Sequence, residues 1–268
     1  MLKDITLGQY FPGTTPVHKL DPRTKLLLVV LYIAALFVAG SWITYGLVAS
    51  FLVCAVVISR IRPKALLRGM KPVFIIVIFT AVLNLLYAEG DHVLVQFWKI
   101  TITWEGVQVA AFMALRIVML ICGTFLLTYT TSPIALTDGL ESLLGPLKKL
   151  RFPVHELAMM MGIALRFIPT LIEETDKIMS AQKARGADFE SGNLLQRAKA
   201  LIPILVPLFI SAFRRADELA TAMECRCYQG GTGRTKLHVL KYAGRDYIGL
   251  LLGAALLAAV ITLKSLGL

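Results

Sequence analysis

Five apolar runs, at residues 26–40, 43–58, 73–87, 107–128 and 247–263, constrain this chain more than any other feature. Hydrocarbon offers backbone N–H and C=O groups no water, so a run of this kind must satisfy its hydrogen bonds internally, as an α-helix. The pattern predicts an all-α integral membrane protein with about five transmembrane helices. Composition agrees, since 57% hydrophobic residues and a mean hydropathy of +0.71 exceed what a soluble domain carries. Some runs are shorter than the roughly 20 residues that cross a bilayer upright, which leaves their ends undefined.

A net charge of +11 would suit a nucleic-acid binder, but the basic residues sit between apolar spans rather than on one face of a soluble fold. No nucleic-acid partner is expected; the distribution follows the positive-inside rule. The leader with Lys19, Arg23 and Lys25, the loop with Arg60, Arg62, Lys64, Arg68 and Lys71, and the long stretch 148–245 are placed in the cytoplasm. The turn at 39–41 and the loop at 89–105 then face outward, with the N-terminus cytoplasmic. Charged residues such as Lys3, Asp4, Lys19 and Asp21 precede the first run, so no secretory signal is expected and that run stays as a helix. Asp21-Pro22 reads as a capped helix start, with Arg23 and Lys25 reaching the lipid headgroups. Alternation over residues 97–104 predicts a short extended segment with its aromatics at the interface.

From Thr130 onward the character changes to amphipathic. The chain thus divides into a membrane part at 1–130, a cytoplasmic region of long amphipathic helices at 131–240 and a last transmembrane helix at 241–268. Thr131-Ser132-Pro133 opens one helix, which Gly145-Pro146 ends. A second covers 154–184, with Leu157, Met161, Ala164, Ile168, Ile172 and Met179 along one stripe. A third follows Pro203 and Pro207, with Leu208, Ala212, Ala216, Leu219 and Met223 spaced by three and four.

The second and third helices look like one template used twice. Each ends in an arginine between small residues, Ala184-Arg185-Gly186 and Cys225-Arg226-Cys227. Asp176 precedes Arg185 by the same step as Asp217 precedes Arg226, and Ile178 and Ala181 coincide with Leu219 and Ala222. A guanidinium offers five fixed donors and keeps its charge when partly desolvated, while small neighbours let a partner backbone approach. One such triplet would be only a cation favoured by its own helix end, with Gly186 as terminator. Two matched copies point to a partner with two similar sockets.

Weaker candidates are weighed beside these. Arg116 lies inside a span, where a charge is either functional or paired with an internal carbonyl or carboxylate. Met159, Met160 and Met161 form either an adaptable docking surface or core filling. Glu173, Glu174 and Asp176 spread around a helix without a histidine, as a solvated face does. His18, His92, His155 and His238 are scattered. Cys225 and Cys227 lack a second ligand pair for zinc, and the four cysteines make no disulfide framework. No metal site is expected. Catalytic signatures, among them the P-loop, H-E-x-x-H and G-x-S-x-G, are missing, so no catalytic residues are assigned and an energy-driven role would draw its energy from another subunit.

Beyond these readings, the chain resembles a family nearly end to end. The resemblance is carried by Gly8-Gln9-Tyr10, His18-Lys19-Leu20-Asp21-Pro22-Arg23-Thr24-Lys25 and Ala164-Leu165-Arg166-Phe167-Ile168-Pro169-Thr170. Most specific are Ala181-Gln182-Lys183-Ala184-Arg185-Gly186 and Phe213-Arg214-Arg215-Ala216-Asp217-Glu218-Leu219-Ala220. These are similar to the transmembrane T component (EcfT family) of energy-coupling factor (ECF) transporters, importers of vitamins and metals in the bacterial plasma membrane. The resemblance implies a non-catalytic subunit whose two coupling helices dock through Arg185 and Arg226 onto two ABC-type ATPase subunits, EcfA and EcfA'. It also implies one substrate-binding S component, for which the methionine triplet is a candidate contact. Cofactors would be ATP and magnesium on the partner ATPases, with none on this chain. One departure stands out: the second motif is Cys-Arg-Cys. Cysteine pays a steric cost in the left-handed region that glycine avoids, so this helix is expected to end later, near Gly230-Gly231. A dedicated cobalt or nickel importer, a polytopic membrane enzyme and a static membrane anchor remain alternatives.

Overall fold

The computed structural model describes residues 10–87, 92–97, 100–150, 152–189, 193–230 and 239–267. The described elements are helical apart from one hairpin. In order they are α1 Pro22–Val38, α2 Trp42–Ser59, α3 Pro63–Met70, α4 Val73–Tyr87, β1 Val93–Phe97, β2 Ile100–Thr103, α5 Trp104–Thr130 and α6 Pro133–Leu143. A 3-10 turn at Gly145–Leu150, α7 Val154–Ala184, α8 Leu194–Cys225 and α9 Gly244–Ser265 follow. The expected extended segment is an antiparallel hairpin, irregular between Val93 and Val95. Trp98, one of its aromatics, lies outside the described residues.

Four helices are long and apolar enough to cross a bilayer: α2, α5, α7 and α9. The pair Pro63–Met70 and Val73–Leu86, bent by 61°, makes a fifth if counted as one span. That total reaches the expected five only by counting α7, which falls in the region expected to be cytoplasmic, in place of α1. At 17 residues α1 stands at the lower limit of a span. Meanwhile α7 qualifies by length and composition despite the carboxylates in its second half.

Two compact units result, and each is described by itself. The first comprises Gly8–Ser142 with Leu240–Leu268. Its core gathers where α1 turns into α2, from Ala35, Leu36 and Ala39 on one side and Tyr45 and Val48 on the other, with Met119 and Val260 closing it. Ser41 and Thr44 cap α2 reciprocally, Thr44 N–H donating to Ser41 Oγ and Ser41 N–H to Thr44 Oγ1. Small residues let helices approach: Gly123 of α5 faces the Tyr32 ring, whose hydroxyl donates to Met119 O at 3.0 Å.

The α1 start behaves partly as expected. Asp21 accepts from Arg23 N–H at 2.9 Å and caps the helix. Arg23 and Lys25, however, do not reach for headgroups. Arg23 pairs with Asp21 at 2.9 Å and stacks 4.0 Å over the Tyr242 ring. Lys25 is 5% exposed and donates to His18 O and Thr130 O at 3.1 and 2.8 Å. The reason is Asp246 at the start of α9, fully buried, which accepts from Asp21 N–H at 2.8 Å and Ala243 N–H at 2.7 Å. This anionic pair draws the cations inward, because a buried carboxylate without partners costs several kcal/mol.

The second unit is Leu143–Val239, built on α7 and α8. The expectation that the latter helix begins after Pro203 and Pro207 is corrected: α8 starts at Leu194 and runs through both prolines. Asn193 N–H donates to Gln196 Oε1 at 3.1 Å and fixes that earlier start.

Candidate functional site

The two arginine triplets end their helices in the same way. Helix α7 stops at Ala184, and Gly186 takes a positive φ of 86°. Gly186 N–H donates to Lys183 O at 3.0 Å and Ala187 N–H to Gln182 O at 3.0 Å. Helix α8 stops at Cys225, and Cys227 takes φ 55°. Cys227 N–H donates to Glu224 O at 2.8 Å and Tyr228 N–H to Met223 O at 3.0 Å. Both are Schellman motifs, in which the left-handed residue turns the chain back to satisfy the last orphan carbonyls. The expectation that α8 ends later, near Gly230-Gly231, is therefore overturned. Cys227 pays the torsional cost because the two reversed hydrogen bonds outweigh it.

This geometry places each arginine at the C-cap, the last position before the reversal. Ala184, Arg185, Gly186, Cys225, Arg226 and Cys227 are all exposed. Neither guanidinium has a hydrogen bond or ion pair among the described residues. Each thus presents a cation at a helix C-terminus, where the macrodipole favours it.

What holds the helices together decides where these hooks lie. Glu174 of α7 accepts from Ser211 Oγ and from Arg215 at 3.1 Å, both on α8. Gln182 Nε2 reaches Pro203 O at 3.4 Å. Contacts that advance along α7 therefore retreat along α8, so the pair is antiparallel. Arg226 lies about 35 Å along α8 from Pro203, near which α7 ends, at 1.5 Å per residue. The hooks sit at opposite ends of the pair, which the sequence repeat did not reveal.

The other candidates separate. Met160 and Met161 of α7 are exposed, at 53% and 37%. Across the pair α8 presents an apolar face that the sequence reading did not single out, with Leu205, Val206, Phe209, Ile210 and Phe213 each close to half exposed or more. Arg116 is half-buried in the first unit. Its Nε donates to Tyr45 Oη at 2.9 Å and its guanidinium to Ala39 O at 3.2 Å, clamping the turn between α1 and α2. Of the readings weighed for it, the carbonyl pairing is present, joined by a tyrosine hydroxyl. The four cysteines are free, and no cluster of metal-ligating side chains occurs among the described residues. Sequence reasoning missed Asp246 and the Glu174–Arg215 bridge, since each joins positions distant along the chain.

Comparison with known proteins adds to this geometry. The profile of the CbiQ family, described as cobalt transport protein, matches residues 13–237. An energy-coupling factor transporter transmembrane protein EcfT of Clostridium kluyveri is 56% identical, over 97% of this chain and 97% of that one. The protein of that name from Acidaminococcus fermentans is 53% identical over 99% and 98%. That of Bacillus subtilis is 50% identical over 96% and 98%.

Proposed function

The chain belongs to the family of energy-coupling factor transporter transmembrane proteins, EcfT, and from that membership we propose that it is the non-catalytic scaffold and force-transmitting subunit of an ATP-driven importer. Arg185 and Arg226 anchor two cytoplasmic ABC-type ATPases, while a separate S component carries the vitamin or other micronutrient. ATP and magnesium belong to the ATPases. The N-terminus and the α7–α8 pair lie on the cytoplasmic side of the bacterial plasma membrane, as the basic loops favour.

The observation that carries this reading is the pair of exposed C-cap arginines, unpartnered among the described residues, on matching Schellman ends of one antiparallel helix pair. Such a pair can grip two partners at once, so movement of one ATPase against the other reaches the helices between them. The exposed methionines and the apolar face of α8 offer the S component a surface that repacks around different partners.

The experiment co-expresses the chain with its ATPases and S component. Arg185→Glu and Arg226→Glu should weaken ATPase co-purification and abolish uptake while the chain stays in the membrane. Alanine at either site should cost less, because reversal adds repulsion in an acidic, partly desolvated socket. Unchanged co-purification and uptake in the double variant rejects the assignment. The cobalt-transport description of the family profile supports a second reading, a dedicated metal importer. A single metal-binding substrate partner in the purified complex would favour it; several exchangeable ones would favour the first.

A further inference from the structure

Outside the coupling helices, the membrane unit contains a slot with no role in the proposal above. It is a partly open cleft of about 460 Å³ between α1, α2, α5 and α9, a size that takes one apolar ligand. Its origin is the way α1 and α2 are joined. Near their turn the two helices pack tightly through Ala35, Leu36, Tyr45 and Val48. Farther from the turn, Leu28 and Val29 of α1 and Leu52, Ala55 and Ile58 of α2 line the slot instead. Gly123 and Gly249 line it too and add no side chain of their own.

The wall is hydrocarbon, so water inside would lack the two to four partners that hold a buried water. Apart from Cys54 and from Tyr32, whose hydroxyl is committed to Met119 O, the polar lining residues Lys25, Thr130 and Arg245 gather towards the N-terminal end of α1. Lys25 is committed to His18 O and Thr130 O, and the Thr130 hydroxyl donates to Leu126 O at 2.8 Å. Arg245 differs: it is exposed and has no side-chain hydrogen bond or ion pair among the described residues. Arg60, which ends α2 just beyond Ile58, is exposed and equally unpartnered among them. An apolar slot lined at its mouth by Arg245, unpartnered among the described residues, is complementary to an amphiphile with an anionic head. A protein helix, about 10 Å across, is too thick for this volume, whereas a single hydrocarbon chain fits.

We infer that this slot binds one acyl chain of an anionic phospholipid, whose phosphate Arg245 holds at the leaflet on the side of the α1 N-terminus. The lipid fills the gap between α1 and α2 and makes the packing of the membrane unit depend on leaflet composition.

The test places the full chain in vesicles of phosphatidylethanolamine and phosphatidylglycerol doped with phosphatidylglycerol carrying a diazirine on one acyl chain. After irradiation, labelled peptides are mapped by mass spectrometry. Labelling of the α2 and α5 lining should exceed that of Ile75 and Ile78, exposed on α4, and should saturate with unlabelled phosphatidylglycerol. Ala55→Trp should lower it about tenfold, the equivalent of two chain methylenes displaced. Arg245→Gln should remove the preference over a phosphatidylethanolamine probe. Lining labels that match those on α4, or that do not saturate, overturn the site whatever the variants do. Equal labelling by both probes in the unsubstituted chain overturns the anionic headgroup, and displacement by a co-expressed membrane protein assigns the slot to that protein. Monodisperse elution of Ala55→Trp is required for its arm, and the saturation arm stands without it.

Discussion

Exchanging the residues at the two left-handed caps should shift helix-end stability in opposite directions. Gly186 has φ 86°, and a Cβ built there meets nothing within 4 Å, so Gly186→Ala carries a torsional cost without a steric one. The left-handed region costs about 1–2 kcal/mol for a residue with a Cβ. Removing glycine regains about 0.4–1 kcal/mol by restricting the unfolded chain. The net loss is about 0.7 kcal/mol, or about a threefold rise in the opening equilibrium of the last turn. Cys227, at φ 55°, is the mirror case. Cys227→Gly relieves the same torsion and should lower opening of the α8 end about threefold. The readout is amide hydrogen exchange of the reversed donors, Ala187 N–H to Gln182 O and Tyr228 N–H to Met223 O. Ala187 should exchange faster in the first variant and Tyr228 slower in the second. Unchanged exchange in both, or shifts of the same sign, would refute the claim that φ at these residues sets the strength of the caps.

Other outcomes follow from the membrane unit and can be read by thermal unfolding in detergent. Gly123→Ala should destabilise by about 1–3 kcal/mol, because the new Cβ would stand 2.5 Å from a Tyr32 ring that its hydroxyl bond pins in place. Tyr45→Phe removes the acceptor of Arg116 Nε and should cost about 0.6 kcal/mol, typical of hydrogen bonds between membrane helices; no loss would mean the clamp on the turn is idle. Acidification should also destabilise the unit. Burial, with the Lys25 charge, holds His18 below its ordinary 6.5 despite the hydrogen bond to Phe11 O. The fold therefore favours neutral His18, and its stability is full above about pH 6.5 and declines as pH falls through the lowered value. Burial pushes the Asp21 carboxyl up, but hydrogen bonds from Arg23 and the Arg23 and Lys25 charges outweigh it, leaving it below 3.8. That contribution is present above the ordinary value and disappears only in stronger acid. His18→Asn should flatten the first decline and leave the second; a decline from about pH 7 to pH 5.5 that survives it would refute this assignment.

Much of the fold was legible because bilayer physics leaves an apolar run little choice. The observed α2, α4 and α9 fall within a few residues of the expected runs, and α7 over the expected residues. Asp21-Pro22 announced the α1 start because a capping carboxylate and a proline act through neighbours in sequence. Pro203 and Pro207 misled because proline is a strong local breaker, yet α8 runs through both from a start fixed by Asn193 and Gln196, tied to α7 by Gln182, Glu174, Ser211 and Arg215. Arg23 and Lys25 misled for the opposite reason: nothing beside them signals Asp246, which joins Asp21 from the far end of the chain.

The proposed coupling site shows the same division. The sequence by itself determined the two arginine triplets, their matched spacing and the end of α7 at Gly186, since helix periodicity and cap chemistry act over a few residues. Only the tertiary structure decided that the hooks point to opposite ends of an antiparallel pair and that Cys227 accepts the glycine-like turn. It alone also decided that a slot opens between α1 and α2. The antiparallel pairing and the slot depend on free energy gained between segments far apart in sequence, which no local pattern encodes, whereas the Cys227 turn rests on two local hydrogen bonds weighed against a torsional cost that residue identity alone overstates.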